Sequence, residues 1–385
     1  MKILFWTPLF WPDIGGIEVL AMNTLPALRD RGHQCIVVAS HRHRQQPDRM
    51  NWKGTPVYRF PFWAALAKRD LGLMMKIRKD LIELKLALQA DLLHIHFSGY
   101  TAYFQLATAH AHPVPVLVTL HSSLADCKAG PDTLLGKFLR TADWITAVSH
   151  ATLLDVRGIL PEITKRSSVI YGCVAQPNID PLPLSFEKPR IVCVGRLVRE
   201  KGFDLAVDAL GLLIKDYPQL CLTIVGNGPE RIPLERRVAE LGLTDVVEFT
   251  GNVHNNLVPQ LFNMATVIVV PSRYREPFGL VALEAAQMAR PIVASRFGGL
   301  LESVIHQQTG LLVENENAVA FAQAIAFFLD HPDVARQMGQ AARKRVLKVF
   351  GLQRYVDEYD RLYKDVRSRV KNRQTLSEPG NNGTD

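Results

Sequence analysis

The chain has 385 residues, of which 48% are hydrophobic and 21% charged; that balance excludes a disordered chain, and the length points to two domains, because one core stops growing at about 250–300 residues. No run of eighteen apolar residues occurs, so no membrane-spanning helix is expected. The net charge of +8 is concentrated in residues 1–180, where 20 Lys and Arg face 14 Asp and Glu. This excess suits an anionic ligand or an anionic membrane surface, and without a zinc-finger, RNP-type or basic-block signature it does not predict nucleic-acid binding.

The N-terminal run Ile3–Trp6 is interrupted by Pro8, Pro12 and Asp13 and is followed by no small-residue cleavage site, so it reads as a buried first strand rather than a signal peptide. Lys2–Thr7, Cys35–Ala39, Leu92–His96, Val116–Leu120, Trp144–Val148 and Ser168–Ile170 are short apolar runs expected as strands of one sheet. Arg190–Val194, Leu220–Val225, Val246–Thr250, Thr266–Val270, Pro291–Ala294 and Gly310–Val313 form a second series. Apolar runs separated by helical stretches indicate parallel strands covered on both faces, and two series in tandem predict an α/β chain of two Rossmann-like, doubly wound domains. Arg42–Gly54 is polar and basic and is expected as a surface loop. Within Ala64–Ala90, apolar residues recur at helical spacing from Ala67 to Leu88, with Lys68, Arg69, Lys76, Lys79 and Lys85 mostly off the stripe. That pattern predicts a helix packed on its own sheet with a solvated basic face; a helix lying on a membrane is the second reading. The prolines of Ala175–Pro189 mark a stiff connector, Val334–Lys371 is helical in spacing, and Asn372–Asp385 reads as a disordered tail. The domains are therefore expected at 1–175 and 190–371, with 176–189 as linker and with the last helix able to cross back to the first domain. The five cysteines lack framework spacing, which fits reduced thiols and a cytoplasmic setting.

The richest segment for chemistry is Arg273–Ala285, which follows a strand and opens a helix, at the carboxyl end of the sheet where open α/β proteins bind ligands. Pro277 suits a helix start, Gly279 permits close backbone approach, and the free N–H groups of the helix favour an anion such as a diphosphate. Glu276 and Glu284 are separated by about two turns and can accept from hydroxyl pairs at two places along one ligand. After Arg190–Val194, Gly195 allows a turn and Arg196 and Lys201 supply two cations suited to phosphate. Val225–Glu230 contains Gly226-Asn227-Gly228, but Arg231 stands where a dinucleotide fingerprint requires its third glycine. Gly15-Gly16 follows the first strand, where a phosphate-facing turn and a purely structural one weigh almost equally. Three His-x-His pairs (His41/His43, His94/His96, His110/His112) have no acidic or cysteine partner at useful spacing, so metal binding is not expected, and no Asp-x-Asp occurs. Ser149 is positioned to cap a helix, and Gly298-Gly299 to open one.

Glu276-x7-Glu284 with the intervening Pro277-Phe278-Gly279-Leu280 resembles the signature of retaining GT-B glycosyltransferases, in particular glycosyltransferase family 4, over most of the chain from Ile3 to about Tyr363. The resemblance implies two Rossmann-like domains facing across a cleft, with an acceptor-binding N-terminal domain and a nucleotide-sugar-binding C-terminal one. It implies that Glu276 contacts donor-sugar hydroxyls, Glu284 holds the ribose, and Arg196 and Lys201 neutralise the leaving diphosphate. His121 matches the family's Thr-x-His strand end and is assigned to the reaction centre. Donor contacts are expected at Gly15, Gly16, Gly226, Val253, Phe278, Gly279 and Leu280, the backbone of Phe249–Val253 edging the base. The implied reaction is a front-face, metal-independent hexosyl transfer from a UDP- or GDP-sugar to an acceptor hydroxyl in cell-envelope, lipid-linked glycan or polysaccharide synthesis.

Two rivals stand beside this reading. A nucleotide-binding oxidoreductase on the same scaffold lacks its full glycine fingerprint here. A non-catalytic sugar-nucleotide or glycan-binding module would have lost Glu276, Glu284, Arg196 or Lys201, and all four are present. The location expected is the cytoplasm, with the inner face of the plasma membrane as a peripheral seat and a lipid-linked saccharide as the favoured acceptor.

Overall fold

A computed structural model describes residues 1–13, 15–42, 46–97, 99–124, 130–274 and 276–377. The chain forms two compact units: Met1–Tyr171 joined by the segment from Leu352 onward, and Gly172–Gly351.

The first unit holds β1 (Lys2–Trp6), β2 (Gln34–Ser40), β3 (Arg49–Trp52), β4 (Thr55–Phe60), β5 (Leu92–His96), β6 (Val116–Leu120), β7 (Trp144–Ala147) and β8 (Ser167–Val169). They lie in the order β3-β4-β2-β1-β5-β6-β7-β8, parallel except for the β3–β4 pair. Side chains alternate across a strand. Leu4, Trp6, Ile36, Val38, Leu93, Ile95, Val118 and Leu120 accordingly join one core with Ile77, Leu81 and Leu84 of the helix Leu71–Leu88. The alternate residues, His94 and Thr119 among them, meet Tyr359 and Tyr363 of the last helix, Leu352–Ser377. That helix is tied to the first unit by Arg31–Asp357, His33–Asp360 and Arg367–Asp91 pairs. It belongs to the first unit, in line with a last helix that crosses back, and the second unit ends at Gly351 rather than at residue 371.

The second unit holds β9 (Arg190–Val194), β10 (Cys221–Val225), β11 (Val247–Gly251), β12 (Val267–Val270), β13 (Ile292–Ser295) and β14 (Leu311–Val313), all parallel, in the order β11-β10-β9-β12-β13-β14. Ile191, Cys193, Leu222, Ile224, Val267 and Val269 pack under Leu205, Ala209 and Leu210 of the helix Phe203–Leu213 and Phe321, Ile325 and Phe328 of the helix Ala318–Asp330. Each fully buried Val, Leu, Ile or Phe among them contributes roughly 1.5–3 kcal/mol.

Five expectations need correction. The supposed loop Arg42–Gly54 contains edge strand β3; pairing with β4, whose Thr55, Val57 and Arg59 are buried in alternation, overrides its polar composition. The single helix expected over Ala64–Ala90 is two, Phe62–Ala67 and Leu71–Leu88, because Arg69 adopts φ 51° and Asp70 caps the second by accepting from the Leu73 N–H at 2.9 Å. Lys85 is not on the solvated face: it is buried, donating to Gln105 Oε1 and Thr108 Oγ1 at 2.8 Å, and burial lowers its pKa to about 7. The proline-rich stretch is strapped to the second unit, where Asn263 donates to the Asp180 carbonyl and accepts from the Leu182 N–H, and Arg290 donates to the Leu182 carbonyl. The final helix also runs through Ser377, past the expected start of the tail; residues 378–385 lie outside the described residues.

Candidate functional site

In the second sheet the chain lays β9, β10 and β11 outward on one side and then returns to place β12 against the other side of β9. The connections from these two central strands therefore leave in opposite directions, which opens a crevice at their carboxyl ends. Arg196 and Lys201 follow β9, and Glu276 follows β12, so the strand order brings these three residues to one switch point. The two loops are joined directly, the Arg273 N–H donating to the Glu200 carbonyl at 2.8 Å.

Glu276 is buried, at 7% exposure, and its Oε2 accepts from Lys201 Nζ at 2.6 Å and from Ser272 Oγ at 2.8 Å. Lys201 sits at the end of the 3₁₀ turn Arg199–Lys201 and keeps 27% of its side chain exposed, so it can pair with Glu276 and still face a ligand. Arg196 is exposed and has no partner among the described residues. Gly279, at φ 84°, opens the helix Leu280–Gln287, whose first N–H groups form the anion-attracting end. Glu284, on that helix, is half-buried with no cation beside it among the described residues, and burial raises its pKa to about 7. The Gly298-Gly299 turn backs this segment. A Cβ on Gly299 would stand 2.1 Å from the Pro277 carbonyl oxygen, and the Gly299 N–H donates to the Glu276 carbonyl at 2.9 Å. Gly226, φ 131°, meets the β9 loop so closely that a Cβ there would lie 1.9 Å from the Gly195 carbonyl oxygen. Its role in the structure is to let two strand-end loops touch backbone to backbone. Val253 is half-buried beyond β11. Phe278, expected to contact the donor, has its ring in the core against Phe350 at 5.4 Å, which leaves its backbone for a ligand. Leu280 is half-buried. Arg275 lies outside the described residues.

In the first unit the switch point falls between β1 and β5. Gly15 and Gly16 precede and open the helix Gly16–Asp30, but Glu18 of the first turn folds back so that a Cβ on Gly15 would stand 2.3 Å from its carboxylate. The helix end thus already carries an anion of its own, and burial raises the Glu18 pKa. His121 lies just past β6, half-buried, with its Nε2 2.7 Å from His96 Nδ1, and burial lowers its pKa to about 4. His94, the other member of that His-x-His pair, is held by Tyr363 and Thr119 hydroxyls, each at 2.7 Å. Among the described residues no three of His, Cys, Asp and Glu gather into a metal-ligand set; His43, of another pair, lies outside them. Ser149 caps its helix by accepting from the Thr152 N–H.

Sequence reasoning missed Ser272 and the bond from His96 to His121. No periodic signal marks Ser272. The His-x-His spacing did mark His96, but it was weighed only as a metal pair.

A doubly wound sheet thus gathers a buried carboxylate, a lysine bonded to it, an exposed arginine and a helix N-terminus at its switch point, groups whose chemistry suits anionic and hydroxyl partners. The sequence profile described as Glycosyl transferases group 1 matches residues 176–345, and that described as Glycosyltransferase Family 4 matches residues 14–175. Glycogen synthase of Mycobacterium tuberculosis is 31% identical over 278 residues, covering 68% of this chain and 66% of that protein. A GDP-mannose-dependent alpha-(1-6)-phosphatidylinositol monomannoside mannosyltransferase of the same species is 37% identical over 166 residues, 42% of this chain and 43% of the relative. The matched part thus spans less than two thirds of these curated relatives. Sucrose-phosphate synthase of Thermosynechococcus elongatus shares the fold at TM-score 0.81 and 22% identity, covering 96% of this chain and all of that one. Anabaena HepE in complex with UDP-glucose does so at 0.77 and 20%, covering 95% and 100%. The two profiles adjoin and together take in most of the chain, which belongs to the family 4, group 1 glycosyltransferases.

Proposed function

We propose that this protein transfers a hexosyl group from a nucleotide-diphosphate sugar to an acceptor hydroxyl, with retention of anomeric configuration and without a metal. The observation that carries the reading is the buried Glu276 carboxylate bonded to Lys201 and Ser272 beside a helix N-terminus. Glu276 accepts from donor-sugar hydroxyls, and Lys201, shared between Glu276 and the ligand, and Arg196 stabilise the diphosphate as it leaves. Glu284 accepts from the ribose diol, while Gly226, Val253 and the backbone around Gly279 line the nucleoside side. The bond from the anomeric carbon to the phosphate oxygen breaks, the acceptor oxygen bonds the same face of that carbon, and its proton passes to the leaving phosphate oxygen. Two side-chain cations and a helix end supply the charge that a metal provides elsewhere. The UDP-glucose bound by HepE and the GDP-mannose named for the mannosyltransferase support a nucleotide-sugar donor.

The test is release of nucleoside diphosphate from a panel of UDP- and GDP-sugars, with and without EDTA. One donor turned over equally in both conditions supports the reading, whereas thermal stabilisation by nucleoside diphosphate with no turnover of any donor favours a binding module.

The acceptor side includes a lipid surface in this proposal. Trp63, Leu71 and Met75 are 68%, 73% and 61% exposed, and Lys68, Arg69 and Arg78 have no acidic partner among the described residues. Exposed apolar side chains flanked by free cations suit an anionic bilayer. No helix among the described residues is long and apolar enough to cross one. Flotation with phosphatidylglycerol vesicles is expected and should be lost in Trp63→Ser/Leu71→Ser; equal flotation of that variant removes the membrane part of the proposal.

A further inference from the structure

We propose that His96 is a positioning residue that fixes His121 with its proton on Nδ1, so that His121 meets a substrate hydroxyl as a neutral hydrogen-bond donor and not as an acid or base. The inference rests on the assignment of His121 to the reacting centre. His96 Nδ1 and His121 Nε2 are 2.7 Å apart, the ring planes differ by 17°, and the ring centres are 4.9 Å apart. That separation is close to the hydrogen bond plus two ring radii, so the rings meet edge to edge in nearly one plane. A proton between the two nitrogens then lies on the line joining them.

Either ring could supply that proton, and the far side of His96 decides which one does. His96 is buried, packed against the Phe5 ring at 4.2 Å, and its Nε2 has no hydrogen-bond partner among the described residues. If His121 donated, His96 would have to carry its own proton on Nε2 and bury an unpaired N–H. If His96 donates, Nε2 holds only a bare lone pair. Orphaned buried N–H groups are rare in folded proteins, and under-satisfied acceptors are better tolerated. The proton therefore belongs on His96 Nδ1, and His121 Nε2 accepts it.

The remaining ring chemistry follows. A neutral imidazole carries one N–H, so with Nε2 accepting, His121 holds its proton on Nδ1, which has no partner among the described residues. Neither ring is charged: burial lowers both pKa values, that of His121 to about 4. His94 does not enter the relay, since both its nitrogens are already bonded, to Tyr363 and to Thr119. With Nε2 occupied, His121 has no free lone pair to take a proton from the acceptor hydroxyl. That leaves the departing phosphate oxygen as the base.

The protein labelled with ¹⁵N-histidine tests this without any substrate. Long-range ¹H–¹⁵N correlations, assigned by loss of signals in His96→Gln and His121→Gln, should show a pyrrole-like Nδ1 and a pyridine-like Nε2 on His121 at neutral pH. A pyrrole-like Nε2 on His121, or a doubly protonated ring, overturns the proposal even if the enzyme turns over its donor. Kinetics give the second arm. His96→Leu should lower kcat roughly tenfold, about the worth of one hydrogen bond, with KM for the donor little changed, and His96→Gln, whose amide can donate to Nε2, should recover most of the loss. A His96→Leu enzyme with wild-type kcat, or no recovery in His96→Gln, overturns it as well. Failure of the wild type to release nucleoside diphosphate from any donor would instead refute the proposed function and leave the tautomer measurement standing.

Discussion

Removing Lys201 should destabilise the protein more than removing Glu276, although they are two halves of one pair. Glu276 is 7% exposed and Lys201 27%, with Nζ and Oε2 2.6 Å apart. Truncating the cation leaves a buried carboxylate with, among the described residues, only the Ser272 hydroxyl to satisfy it. Breaking a fully buried ion pair in this way costs about 3–5 kcal/mol, and partial exposure of Lys201 together with the surviving Ser272 bond reduces the expectation to roughly 2–3 kcal/mol. Glu276→Gln keeps a hydrogen-bonding group on Ser272 and lets Lys201 turn to water, at about 1 kcal/mol or less. For a unit of this size, 1 kcal/mol corresponds to about 2–4 °C in Tm, so Lys201→Met should fall by roughly 5–10 °C and Glu276→Gln by no more than about 4 °C. The double variant Lys201→Met/Glu276→Gln should be more stable than Lys201→Met alone, because the stranded charge is gone. The assay is a ligand-free thermal melt of all four proteins in one buffer. Equal losses for the two single variants, or a double variant that simply adds them, would refute the reasoning.

Glu284 gives a pH signature. Its pKa is raised to about 7 by burial, so the folded protein holds this proton more tightly than the unfolded chain, and stability should fall as pH rises from about 4.5 to 7. Glu284→Gln should flatten that slope in Tm-against-pH profiles while weakening nucleoside-diphosphate affinity; an unchanged slope contradicts the burial argument. Gly226→Ala would set a Cβ 1.9 Å from the Gly195 carbonyl oxygen at φ 131°, so soluble yield or Tm should drop sharply, by several kcal/mol equivalent to ~10 °C, and a wild-type melt would contradict the close loop contact. Lys85, lowered to about 7, is neutral in the folded protein and charged in the unfolded chain above that pH, so its burial penalty is relieved as pH rises from about 7 to 10. Lys85→Met should remove that part of the alkaline profile, and an unaltered profile would show that Lys85 is not titrating there.

Much of the fold was legible because parallel strands buried on both faces leave continuous apolar runs, as in Val116–Leu120 and Arg190–Val194, whose bounds match the observed strands. What was not legible depended on tertiary partners. β3 reads as polar loop until β4 pairs with it, and Lys85 reads as surface until Gln105 and Thr108 enclose its Nζ. The break at Arg69-Asp70 carried a readable cap signal in Asp70 that the uninterrupted apolar stripe obscured. At the candidate site, the residue types of Arg196, Lys201, Glu276 and Glu284 pointed to anion and hydroxyl binding. That Lys201 bonds Glu276 depends on β12 returning beside β9, a property of strand order that no local window contains.

The proposed function turns on Glu276, held by Lys201 and Ser272, gripping the sugar of an activated donor. Turnover by Glu276→Gln at saturating concentration of the best donor tests it most directly. A loss of roughly 10–100-fold is expected, the worth of a charge-assisted hydrogen bond to the transferring sugar, in a protein that still melts within a few degrees of wild type. A variant that turns over within twofold of wild type would place the sugar elsewhere and contradict the account.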